Sequence, residues 1–352
     1  MFYKSSDNID DLMRAVFARL LSNNTNDFDV RSSRKGDSRE IFGVLLELTN
    51  PRARISRSQS RARIYSSLGE LIWYISSNNS IEFIEYYIPG YSQFSDDGKT
   101  ANGAYGPRIF SKGIDNAEIS SRTQWQRVID TLSQRNGSRN GIIQIFANRD
   151  AEIDSNDIPC TCTLHFAIRN DKVHLHTHMR SNDAFLGLPH DIFSFTMLQE
   201  IAARQLNCEI GSYQHSVASL HLYSDTDKRK FKTLAQAYLD EGLHDPIQMP
   251  RMPDGNPWPS LNEVIKAEAE IRKGNRTYGP TVELNPYWTD FLTLLRIYYV
   301  TIKRHGIEQE EAAALIEKII DPTYKLFVLD RIERKLGPAR RLLKILTAGK
   351  IQ

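Results

Sequence analysis

A cysteine directly follows a proline at Pro159-Cys160, and before residue 192 the chain adds Arg180, Ser181, Asp183 and Asp191. A thiolate can add to an electron-poor ring and so divide one difficult step into two. An arginine nearby favours the thiolate and pairs with phosphate oxygens through its forked donors. Upstream, Glu70 stands in SSLGELIWYIS, an otherwise apolar helical run. A carboxylate there needs either an ion-pair partner or a proton to move. Each residue alone has an ordinary reading: a core cysteine, a surface cation, a turn aspartate, and Asp191 as a helix cap before Ile192. Their order and spacing argue for a site.

The pattern PC, then RS.D.FLGLP.(N or D)I.S, then a glycine and a later HLY, resembles thymidylate synthases and their relatives, the pyrimidine nucleotide hydroxymethylases. Pro159-Cys160, Arg180-Ser181, Asp183, Phe185-Leu186-Gly187-Leu188-Pro189 and His221-Leu222-Tyr223 stand at that family's separations without a gap. The resemblance implies an α+β fold, a mixed β-sheet core with packed helices. It implies Cys160 as nucleophile at C6 of a pyrimidine nucleoside monophosphate and 5,10-methylenetetrahydrofolate as the one-carbon donor. Arg180 would bind phosphate, with Ser181 near the sugar-phosphate and His221 and Tyr223 on the sugar hydroxyl. Asp183 would hold folate, and Glu70, in a segment like the family's (H/G)EL.W, would organise water and proton transfers. Tyr105, in Gly103-Ala104-Tyr105-Gly106, joins the substrate-binding set, and Tyr91 falls on the folate side where thymidylate synthases place a tryptophan. Arg34 matches the family's flexible phosphate-closing arginine after a one-residue shift, with Arg31 and Arg39 as competitors. Arg139, followed by Asn140 where relatives carry a second arginine, implies a homodimer in which one subunit reaches the other's phosphate.

Asp191 stands where thymidylate synthases carry an asparagine that reads the uracil edge. Cytosine offers an amino donor at N4 and an acceptor at N3, which suits a carboxyl that can share a proton. The same exchange marks the family's cytidylate hydroxymethylases. A cytosine nucleotide, dCMP ahead of CMP, is therefore the expected substrate and hydroxymethylation at C5 the expected reaction. An altered aromatic at Tyr91 would change how the intermediate is shielded from water. The rival readings are a dUMP enzyme, methylating or hydroxymethylating, and a folate-independent nucleotide-binding module.

The elements that must position these groups are legible from periodicity. Helical spacing covers residues 9–21, 66–76, 123–132 and 192–206, the last apolar nearly all round and so buried. Alternation marks strands around Ile41-Phe42-Gly43 and on both sides of the turn Arg169-Asn170-Asp171, and an apolar strand is expected over residues 142–146. The strand with His174, His176 and His178 could present three imidazoles on one face, a spacing that also suits zinc. No metal is expected, and Cys160 is preferred to Cys162 because it follows proline and keeps the family's spacing to Arg180. The resemblance covers residues 30–260; residues 286–346 read as three helices. The expected organisation is a catalytic domain over residues 1–274 and a helical extension over 275–352.

A chain of 352 residues can hold one large domain or two ordinary ones. A formal net charge of +2 gives no reason to expect a nucleic-acid polymer as partner. The arginines bunched between Arg52 and Arg63 are expected on a solvated face, with phosphate gathering as the alternative. No leader and no long apolar span predict neither export nor a membrane. Three cysteines suit a reducing cytoplasm better than a disulfide framework.

Overall fold

The computed structural model describes residues 1–33, 36–59, 63–112, 122–243, 245–302 and 309–336. Its seven strands are β1 (Phe2–Ser6), β2 (Asp29–Ser33), β3 (Gly36–Leu48), β4 (Ile142–Gln144), β5 (Thr161–Arg169), β6 (Lys172–Asp183) and β7 (Glu209–Tyr223). They form one mixed sheet in the order β1-β3-β7-β6-β5-β4, with β2 paired to β3 off this path. The β1–β3 and β6–β7 pairs are parallel and the others antiparallel. The expected α+β class is therefore observed.

The β5–β6 hairpin turns on Asn170 and Asp171, both at positive φ (50° and 56°), as a two-residue turn between right-twisted strands requires. Along β5 and β6, Leu164, Phe166, Ile168, Val173, Leu175 and Met179 are buried on one face. His174, His176 and His178 fall on the other by strict alternation. Helices in the same part of the chain are α1 (Ile9–Leu20), α2 (Ile64–Ile75), α3 (Ile81–Tyr87), α4 (Tyr105–Phe110), α5 (Gln124–Gln134), α6 (Asn148–Glu152), α7 (Gly187–Gln205) and α8 (Phe231–Asp240). Asn8 caps α1, and Thr123 and Gln126 form a reciprocal capping box at α5. Helix α7 lies against β6, β7 and α2. Its Gln199 side chain donates to Val173 O at 2.8 Å and Gly211 O at 3.0 Å, satisfying carbonyls where the β6–β7 register shifts.

Helix α7 begins five residues earlier than its apolar periodicity predicts. Asp183 Oδ1 accepts the Phe185 and Leu186 N–H groups, each at 2.8 Å, and closes the turn that launches the helix. Pro189 falls in the first turn, where a missing N–H costs nothing. Asp191 consequently lies inside the helix, which excludes the reading of it as a cap. The arginine-rich segment is a second correction. Arg54 is 1% exposed and pairs with Glu200 of α7, also fully buried, so this part of the run is core.

The chain divides into two compact units at Met249/Pro250, ahead of the Gly274 at which the resemblance was read to stop. The second unit contains α9 (Trp258–Arg272), α10 (Pro286–Thr301), α11 (Gln309–Glu317) and α12 (Pro322–Leu336). In it α10 packs against the other three, so α9 is held by the helices that follow it. Trp288, Phe291, Leu294, Leu295 and Tyr298 are buried along α10. Buried Asp290 accepts the Ile320 and Asp321 N–H groups at 2.7 and 2.8 Å, at the start of α12. Among the described residues no helix is long and apolar enough to cross a membrane.

Arg108 of α4 is buried and donates to both oxygens of Asp150, at 2.5 and 2.8 Å, and to the carbonyls of Ile145 and Asn102. Removing one partner leaves a buried charge uncompensated. Asp150→Ala is expected to cost about 3–5 kcal/mol in urea unfolding monitored by circular dichroism.

Candidate active site

Cys160 is half-buried at the entry to β5 and is held by its own main chain. Arg180 reaches across from β6. Its backbone N–H donates to Cys160 O, its Nε to Pro159 O and its Nη2 to Ile158 O, all at 2.9 Å. Three consecutive carbonyls are thereby fixed by one residue whose guanidinium remains exposed to an anion. On the other side the Thr161 N–H donates to the Tyr105 hydroxyl at 3.2 Å. The β5–β6 register slips between Thr161 and Thr163, and bulges of this kind re-aim side chains beside functional sites. Burial pushes the neighbouring Cys162 thiol up.

Two carboxyl groups meet the same space. Asp191, 8% exposed, is held well above the ordinary carboxylate range by burial first and by the charge of Glu70 next. Glu70, 9% exposed on α2, is pushed up to about 7 by burial, against a hydrogen bond of 3.0 Å from the Tyr74 hydroxyl. His190 Nδ1 lies 3.4 Å from Glu70 Oε2, and its Nε2 is 3.0 Å from Ser66 Oγ. Asn182 Nδ2 donates to Asp191 Oδ2 at 2.7 Å. A methyl at Gly187 would sit 2.9 Å from Asn182 Nδ2 and 3.4 Å from Asp191 Oδ2, so this glycine of FLGLP keeps that contact open.

Aromatic hydroxyls close the surround. Tyr91 packs edge-on against Trp73 with ring centroids 5.6 Å apart. Its hydroxyl is pushed well up by burial and by the charges of Asp157, Glu70, Cys160 and Asp191. Tyr105 packs against Tyr74 at 5.2 Å and is pushed up by burial and then by Asp191 and Cys160. On β7, Tyr223 is raised by burial, Asp183 and Cys160, and its ring meets His221 edge-on at 4.9 Å. Ser181 and Asp183 face Ser219 and His221 across the β6–β7 ladder. A cleft of about 600 Å³ is lined by Gln93, Phe94, Asn156, Thr226, Asp227, Lys228 and Arg229. It opens beside Tyr91, whose ring lies 5.6 Å from that of Phe94.

The structure thus gathers Cys160, Glu70, Tyr91, Tyr105, Arg180, Ser181, Asp183, Asp191, His221 and Tyr223 around one region. Arg139 is exposed on the loop between α5 and β4 and joins none of these contacts. Arg34 lies outside the described residues. Its two competitors have structural partners: Arg39 donates to Leu20 O and Ser22 O and covers the Phe28 ring, and Arg31 pairs with Asp29 and Glu40. The three imidazoles of β6 lie instead against β7, His174 with Ser212, His176 with Gln214 and His178 with Ser216, at 3.1–3.2 Å. Among the described residues no group of three His, Cys, Asp or Glu side chains could hold a metal ion.

Sequence reasoning passed over Tyr74, Asn182, His190, His215 and Tyr213. Tyr74 was within reach of it, since it stands one helical turn beyond Glu70. Tyr213 and His215 share a face of β7 two residues apart, and Asn182 and His190 meet their partners only through the fold.

A family model described as thymidylate synthase matches residues 17–303. Over 210 residues the chain is 29% identical to a protein named deoxyuridylate hydroxymethyltransferase from Delftia phage PhiW-14, covering 55% of each chain. Over 217 residues it is 28% identical to a protein of the same name from Bacillus phage SP01, covering 60% of this chain and 57% of that one. The chain therefore spans a little over half the length of either relative. With a family match that extends over most of its length, and with the residues that carried the resemblance gathered in one region, the chain belongs to the thymidylate synthase family.

Proposed function

We propose that the protein transfers a one-carbon unit to C5 of a pyrimidine nucleoside monophosphate and completes the reaction with water, giving a 5-hydroxymethyl cytosine nucleotide. The observation that carries this reading is Asp191, a buried carboxyl whose proton affinity is held well above the ordinary range and which, like Cys160, acts on the Tyr105 hydroxyl. A neutral carboxyl offers one acceptor and one donor, which match N4–H and N3 of cytosine. The names of the two phage relatives support hydroxymethylation as the outcome. They also favour the second reading, a deoxyuridine nucleotide as substrate, because an unrestrained neutral carboxyl could exchange its donor and acceptor to meet uracil.

In this mechanism the Cys160 thiolate adds to C6, and the electron pair released at C5 makes that carbon nucleophilic. 5,10-Methylenetetrahydrofolate would supply the one-carbon unit. The cleft suits such a group: Phe94 offers a ring for a flat heterocycle, and Lys228 and Arg229 offer cations for an anionic tail. Asp183 would contribute its second carboxyl oxygen, Oδ1 being committed to the turn before α7. Loss of the C5 proton and departure of the folate amine as tetrahydrofolate would leave an exocyclic methylene on the base; water adds to it, and Cys160 leaves C6. Glu70, with a proton affinity near neutrality and His190 beside it, would place that water and move its proton. Arg180 would pair with the phosphate while it holds the Cys160 loop, with Ser181 nearby, Tyr105 on the substrate side and His221 and Tyr223 on the sugar. Tyr91 would shield the intermediate.

We further propose a homodimer in which Arg139, and Arg34 from its own subunit, complete the phosphate site. Residues 1–274 would carry the chemistry and 275–352 form a helical extension. A cytoplasmic location is inferred from three cysteines, none of which is in a disulfide.

Tritium release from C5-labelled dCMP, CMP and dUMP, with and without methylenetetrahydrofolate, tests the reading. Folate-dependent release fastest from dCMP is expected. Release from dUMP alone would establish the second reading, and none at all, despite nucleotide binding, would leave only a binding module. Cys160→Ser should lower release at least about a thousandfold.

Glu70 also has a stability signature. Its folded proton affinity is raised from 4.5 to about 7, so the folded chain holds a proton that the unfolded chain releases between those pH values. Stability from this group is intact below pH 4.5 and declines as pH rises through 7. Glu70→Gln should therefore slow turnover by about a hundredfold. It should nevertheless be more stable than the parent at pH 8, by up to about 3 kcal/mol, with no difference at pH 4. Denaturant titrations at the two pH values would measure this.

A further inference from the structure

Asp191 is the last member of a buried chain of polar side chains. The Tyr213 hydroxyl lies 2.6 Å from His215 Nδ1, His215 Nε2 lies 3.0 Å from Asn182 Oδ1, and Asn182 Nδ2 lies 2.7 Å from Asp191 Oδ2. The first three residues are 1%, 0% and 4% exposed, so water does not interrupt the chain. Burial lowers the proton affinity of His215 to about 3, which leaves the ring neutral with a single N–H. Asn182 Oδ1 can only accept, so that N–H is on Nε2. Nδ1 then accepts from the Tyr213 hydroxyl. Every bond points the same way, from Tyr213 towards Asp191.

This direction matters because of where it puts the proton of Asp191. Asn182 gives a hydrogen to Oδ2, so Oδ2 is the accepting oxygen and the acid proton belongs on Oδ1. Were the amide reversed, its oxygen would face Asp191 and draw the acid proton inwards, leaving only acceptors for the base. Gly187 is part of the device, since any side chain there would collide with the amide. Other groups that sense the charge of Asp191 are Tyr74 on α2, Tyr91, Tyr105 on α4 and Tyr213 on β7, with Glu70 on α2 and Asp183 on β6 raising its proton affinity.

We propose that Asn182, oriented by His215 and Tyr213, is a positioning residue that sets base specificity by assigning the proton of Asp191 to Oδ1. Oδ2 then accepts from the cytosine amino group and Oδ1–H donates to N3. A uracil edge would need those roles exchanged. The proposal rests on the reading of Asp191 as the base-contacting group. It goes beyond that reading by placing discrimination in three residues that need not touch the nucleotide.

The test compares Asn182→Ala, Tyr213→Phe, His215→Phe and His215→Gln with the parent. For each, the dCMP to dUMP ratio is measured twice, as kcat/KM and as the ratio of dissociation constants, so a slow enzyme still gives an answer. Glutamine can donate to Asn182 and accept from Tyr213, whereas phenylalanine can do neither. Asn182→Ala and His215→Phe should move the ratio at least about tenfold towards unity and Tyr213→Phe about threefold, with His215→Gln close to the parent. If all four keep the parent ratio, or if His215→Gln loses as much as His215→Phe, the proposal is overturned. Should Asn182→Ala fail to fold, Tyr213→Phe and the His215 pair decide it alone. A parent that prefers dUMP defeats the cytosine reading, while collapse of that preference in the variants would still support a specificity role for the chain.

Discussion

Two carboxyl groups share one dry pocket, and there the cost of charge rises with every neighbour that is also negative. Asp191 and Glu70 are placed so that burial raises both and the charge of Glu70 raises Asp191 further. The consequence is a division of labour. In the proposed function Asp191 would show a base both a donor and an acceptor, while Glu70, raised to about 7, would exchange a proton. Tyr74, Tyr91 and Tyr105 are driven the same way, so the pocket is walled by protonated hydroxyls.

The surrounding fold serves that arrangement. Helices α2 and α7 pack side by side on the sheet, bringing Glu70 and Asp191 together from positions far apart in the chain. The Arg108–Asp150 pair anchors α4 and with it Tyr105, whose hydroxyl takes the N–H that follows Cys160. Arg180 secures the three carbonyls on the other side of the thiol. Cys160 is thus fixed through its backbone from both sides. Burying this many polar groups is costly unless each is answered. Gln199 on the register shift and Asn182 on Asp191 are such answers.

Local features were legible wherever the deciding interaction is short in sequence. Asn170 and Asp171 tolerate positive φ and made the hairpin readable. Apolar spacing found α1, α2 and α5. Reading failed where a distant partner decides. Arg54 looked like part of a solvated run because Glu200, its partner, lies far along the chain on α7. The start of α7 was placed at Ile192 because its first turn is organised by Asp183 rather than by apolar periodicity. Three alternating histidines had a spacing that also suited zinc, and only the fold shows each of them beside a β7 side chain.

The sequence by itself determined the kinds of reactive group and their order: a thiol after proline, an arginine and serine together, the FLGLP turn, and an aspartate where relatives carry an amide. These are properties of neighbouring residues, and they sufficed for the family and the expected chemistry. Only the tertiary structure decided which of those groups carry protons and which way their hydrogen bonds run. Proton affinity depends on burial and on charges brought close by folding, so the raised proton affinity of Asp191 follows from its burial and from Glu70, which is far from it in the chain.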